Sequence, residues 1–74
     1  MSLRPLSFRV VKQKLLAAGF LVEDQRGSHV KFSKKTGGGT RTVIVPDHRG
    51  DLKMGLLRSL IKSAGLTVDE FNDL

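Results

Sequence analysis

Arg26-Gly27-Ser28-His29-Val30-Lys31-Phe32 decides how this chain is read. Beyond the Gly-Ser pair, polar and apolar side chains alternate, which is the pattern of a half-buried strand. Successive side chains of a strand point to opposite faces. Val30 and Phe32 therefore share one face, and His29, Lys31 and Ser33 share the other. The apolar pair requires a core, so His29 and Lys31 are left facing water. Gly27 supplies the positive φ of a tight turn into this strand from an earlier one. That earlier strand is predicted over residues 20–25, with Phe20 and Val22 on one face and Glu23 and Gln25 on the other.

Further upstream, Phe8, Val11, Leu15 and Ala18 repeat at steps of three and four, which predicts a helix over residues 7–18. Ser7 is a suitable N-cap, and Gly19 closes the helix. Downstream, residues 34–39 (Lys34-Lys35-Thr36-Gly37-Gly38-Gly39) read as a loop, because three glycines disfavour both helix and strand. It serves either as a basic flap or as a plain hairpin connection. Residues 40–45 are rich in β-branched side chains and predict a third strand, stopped by Pro46. A second helix is predicted over residues 53–64, with Leu57, Leu60, Ile61 and Ala64 as its buried stripe, Asp51 capping its start and Gly65 ending it. Thr67-Val68-Asp69-Glu70 is a capping box opening a short final turn that docks Phe71. The predicted architecture is α+β: a three-stranded antiparallel sheet in an α-β-β-β-α order, with both helices on one face and the other face wet.

The chain has 74 residues and reads as one domain over 1–74, with a thin core. It has no cysteine, which excludes disulfides and thiolate metal sites. Its two histidines lack the spacing of a helical zinc pair, so neither a metal nor a small-molecule cofactor is expected. No apolar run is long enough to span a bilayer, and the first residues lack a signal-like apolar region. A cytoplasmic protein without membrane association is expected. Met1-Ser2-Leu3 is given no structural weight.

Thirteen Lys and Arg against seven Asp and Glu give a net charge of +6, which favours capture of polyanions. Residues 26–41 carry Arg26, Lys31, Lys34, Lys35 and Arg41 and no acid. The candidate RNA-binding set is therefore Arg26, Gly27, Ser28, Lys31, Lys34, Lys35 and Arg41, with Arg41 expected to join His29 and Lys31 on one surface. Histidine suits either proton-transfer role in cleavage by the ribose 2′-hydroxyl, and nearby cations stabilise the phosphorane charge. Ser28 and the His29 amide can add hydrogen bonds to a phosphate oxygen. His48, in the Pro46-Asp47-His48-Arg49-Gly50 loop, either competes as a site residue or fills a turn. With only four Phe as aromatics, base stacking on an aromatic ladder is disfavoured.

Four segments resemble the HicA-type toxins, small ribonucleases of toxin–antitoxin pairs. They are Leu15-Leu16-Ala17-Ala18-Gly19-Phe20, Gly27-Ser28-His29, Val43-Ile44-Val45-Pro46-Asp47-His48, and the helix running from Gly55 through Arg58 and Lys62 to Leu66. The resemblance covers about residues 7–71. It implies a double-stranded-RNA-binding-domain-like fold, metal-independent cleavage of mRNA, a HicB-type antitoxin that covers the active face, and His29 as the catalytic residue. Where the family usually has Pro-Lys before the glycine of the last helix, this chain has Lys53-Met54. The alternative reading is a non-catalytic RNA-binding module on the same fold.

Overall fold

The computed structural model describes residues 3–74. Its elements run β1 (Leu6–Ser7), α1 (Phe8–Ala17), β2 (Leu21–Arg26), β3 (His29–Thr36), β4 (Gly39–Pro46), β5 (Asp51–Leu52), α2 (Met54–Ser63) and α3 (Val68–Asn72). Strands β2, β3 and β4 form an antiparallel sheet with β3 in the centre. This is the expected α-β-β-β-α fold with its expected short helical tail α3, and with an added two-stranded ladder.

The core follows the predicted stripes. Val11 and Leu15 of α1, Leu57, Leu60 and Ile61 of α2 and Phe71 of α3 bury against Val30, Phe32, Val43 and Val45 of the sheet. Phe8 stacks obliquely on Phe32, with ring centroids 6.5 Å apart. Each fully buried side chain of this size is worth roughly 1.5–3 kcal/mol of transfer free energy. The helices take up the apolar face of the sheet, so side chains of the opposite parity stand in solvent.

The helix ends form largely as their residues dictate. Ser7 Oγ accepts from the Val10 N–H at 3.3 Å. The Thr67–Glu70 capping box is closed in both directions, at 2.8 and 3.1 Å. The start of α2 differs from expectation. Its N-cap is Lys53, with no side-chain bond. Asp51 instead belongs to β5 and pairs with Ser7, as Leu52 pairs with Leu6. This ladder ties together the entries of both long helices. Leu52 and Leu3 are both buried in the core, so Leu3 contributes where none was expected. Met1 and Ser2 lie outside the described residues.

Two departures change which face a side chain occupies. Strand β3 continues to Thr36, and β4 begins at Gly39, leaving only Gly37-Gly38 as the turn. The expected loop over residues 34–39 is therefore mostly strand. In β2 the register shifts between Val22 and Asp24, leaving Glu23 unpaired in a bulge. Strict alternation put Glu23 and Gln25 together. The bulge resets the parity, so that Asp24 opposes Lys31, Gln25 opposes Val30 and Arg26 opposes His29.

Gly65 shows how tightly the rim is built. Its φ is 75°, and a Cβ there would lie 2.6 Å from the Arg41 guanidinium. Gly65→Ala is expected to cost about 1–2 kcal/mol from the left-handed backbone alone, and to displace Arg41. A thermal melt showing unchanged stability would contradict that account.

Candidate RNA-facing site

The site begins with the turn. Arg26 pairs with His29 across the two-residue Gly27-Ser28 connection, and Gly27 adopts φ 58°. Glycine at the first central position suits such a hairpin. Gln25 Nε2 donates to the Gly27 carbonyl at 3.2 Å and braces the turn. His29 follows immediately and is exposed on the uncovered face of the sheet.

A shallow groove on that face is lined by Asp24, Arg26, His29, Lys31 and Ile44. Register explains the grouping. In antiparallel pairs, directly opposed residues share a face. Arg26 opposes His29, while Asp24 and Ile44 flank Lys31 from the two neighbouring strands. Ile44 is 52 % exposed and gives the groove an apolar wall beside the imidazole. The cations are not bare. Arg26 Nε lies 3.2 Å from Asp24 Oδ2, and Lys31 Nζ lies 3.3 Å from Glu23 Oε2. Exposed pairs of this kind are weak, so an incoming phosphate can compete for both cations.

The expected basic set divides into two faces. Lys35 shares the His29 face but stands six residues along β3, about 20 Å away at roughly 3.3 Å per residue. Lys34 and Arg41 do not join His29. They oppose each other on the helix-covered side, with the parity of Phe32 and Val43. Lys34 Nζ donates to the Ala18 carbonyl at 2.6 Å and lies over the Phe20 ring. Arg41 Nη1 reaches the Ser63 carbonyl at 3.5 Å. Each cation sits at the C-terminal end of a long helix, where the partial negative charge of the last carbonyls favours it. Arg41 as a partner of His29 and Lys31 is thus corrected by register.

Residues that the chain's pattern did not single out for the site are Glu23, Asp24 and Ile44. The acids were hidden by the bulge, which no local signal marks. Ile44 sits in the all-apolar run Val43-Ile44-Val45, which does not mark an outward side chain; its pairing with Lys31 does. His48 does approach the turn, with Nε2 3.1 Å from Ser28 Oγ. No group of His, Cys, Asp and Glu among the described residues is arranged to hold a metal ion. No helix among them is long and apolar enough to cross a membrane.

The family model for the HicA toxin of bacterial toxin–antitoxin systems matches residues 8–66. The chain belongs to the HicA toxin family. The match runs from the first residue of α1 to just past the end of α2, and so contains the whole sheet and the groove. HicA membership gives the chain the toxin role of a toxin–antitoxin pair, and with it a cognate antitoxin partner. No curated protein matches the chain.

Proposed function

We propose that this HicA-family toxin is a metal-independent endoribonuclease that cleaves mRNA, with His29 as its catalytic residue. The observation that carries the reading is the exposed His29 ring sharing one groove with Arg26 and Lys31, on the face the helices leave open. His29 takes or gives a proton as the ribose 2′-oxygen attacks phosphorus and the bond to the 5′-oxygen breaks. Arg26 and Lys31 leave their carboxylate partners and balance the charge growing on the phosphorane. Gly27 allows the turn to lie close to the strand, and the Ser28 hydroxyl donates to a phosphate oxygen. Lys35 holds the backbone farther along. A HicB-type antitoxin neutralises the toxin by covering this face. The setting is the cytoplasm, where mRNA is present, and residues 1–74 act as one domain.

The test is a ribo-oligonucleotide incubated with the full chain in excess EDTA, beside the same sequence in deoxy form. Cleavage of the RNA alone, leaving a 2′,3′-cyclic phosphate and a 5′-hydroxyl, is expected, because the attacking 2′-hydroxyl is missing from DNA. Cleavage of both strands, or of neither, sinks the mechanism. Retained RNA with no cleavage assigns the fold to a non-catalytic binder.

The two faces give a second expectation. Lys35→Ala should weaken RNA binding and lower its salt dependence by about one counterion, with unchanged stability. Lys34→Ala should lower stability by about 1 kcal/mol through the lost helix-end contact, with little direct effect on binding. Denaturation curves and salt-titrated binding separate the two. A reversed pattern means that the strand parity assigned to these lysines is wrong.

A further inference from the structure

The connection after β4 is latched onto the turn that leads into His29. The Asp47 main-chain N–H donates to the Ser28 carbonyl, and His48 Nε2 stands 3.1 Å from the Ser28 hydroxyl. Pro46, two residues before His48, is the register partner of His29. Ser28 is therefore held through its main chain by Asp47 and through its side chain by His48, next to the groove.

A serine hydroxyl has one hydrogen, and the ring nitrogen decides where it points. When Nε2 is bare, it accepts that hydrogen, and Ser28 presents only lone pairs to its surroundings. When Nε2 carries a hydrogen, the ring donates to Oγ, and the serine hydrogen is free to turn outward. A phosphate oxygen only accepts hydrogen bonds, so it is served by the second arrangement and not by the first.

We infer that His48 is a positioning residue: its Nε2–H anchors Ser28 Oγ so that the hydroxyl donates to a non-bridging oxygen of the phosphate attacked beside His29. The inference rests on the RNA-cleavage reading and deepens it. Ser28 touches the substrate, and His48 acts through Ser28. A hydrogen bond of this kind strengthens as charge builds on the phosphorane, so its loss falls on kcat more than on KM.

The experiment measures kcat and KM on a ribo-oligonucleotide for the unaltered chain and for S28A, H48A, H48Q and the S28A/H48A double variant, each with its thermal melt. S28A and H48A are each expected to lose about 10- to 100-fold in kcat, the range for a hydrogen bond to a charged group. The double variant should lose no more than S28A, since two residues acting through one bond are not additive. H48Q keeps an N–H donor and should recover most of the rate. Additive losses, a fully active H48A, or an H48Q no better than H48A while melting like the unaltered chain, each overturn the inference. An unaltered chain that cuts RNA alongside a fully active H48A overturns this inference alone. An unaltered chain that leaves RNA intact overturns the cleavage reading together with it.

Discussion

His29→Ala is expected to lower RNA cleavage by about 10²- to 10⁴-fold, the usual worth of a positioned proton-transfer group, with the protein still folded and still retaining RNA. The fold should tolerate the change because the ring is exposed and makes none of the core contacts. Its strand is held by main-chain pairing to Arg26 and Pro46, which alanine preserves. Binding should survive because the proposed mechanism gives the phosphate contacts to Arg26, Lys31 and Lys35, independently of the imidazole. Single-turnover cleavage, circular dichroism and filter binding on one preparation check all three parts. Cleavage by the alanine variant at the unaltered rate removes His29 from the chemistry.

Phe32→Ala is expected to cost about 3–5 kcal/mol, against a total stability of roughly 4–11 kcal/mol for a chain of this length. Phe32 has no exposed surface. It lies on the central strand between Val22 and Val43, with the Phe8 ring against it. A cavity there removes contacts from the sheet and α1 together, and a core this small has few side chains with which to refill it. Much of the population should unfold well below the normal melting temperature, and cleavage should fall with the folded fraction. Urea denaturation measures the loss. A change below about 1 kcal/mol would show that the sheet and helices close the gap by repacking, against the tight core described above.

The contrast between these substitutions follows from alternation along β3. Neighbouring positions on one strand serve stability and chemistry in turn, and that much is written in residues 29–33. Both long helices were legible because their stripes obey one period, although only the first is capped by a side chain at its start. The reading failed where a residue's role depends on a distant partner. Three glycines suggested an end to the strand at Ser33, although only Gly37 and Gly38 make the turn. Ending the strand early concealed that Lys34 continues the parity of Phe32 and faces the helices. Arg41 needed the register of β4 before its face could be assigned. The bulge at Glu23 has no sequence mark of its own, yet it turns Arg26 toward His29 and brings Glu23 and Asp24 to the cations. The pairing of Leu6 with Leu52 joins residues too far apart for any local pattern.

By itself the sequence determined the helices and the order of the three main strands, the hydrophobic layer between helices and sheet, and an outward histidine at a Gly-Ser turn. These rest on periodicity, capping and the conformational freedom of Gly27, all of which act within a few residues. Only the tertiary structure decided which charges surround that histidine. Cross-strand register and one bulge placed Arg26 and Asp24 beside Lys31 in its groove and sent Lys34 and Arg41 to the helix ends. It also brought His48 to Ser28, which lies 20 positions earlier in the chain. Electrostatic neighbours are set by distance in space, and in an antiparallel sheet that distance is fixed by how strands pair.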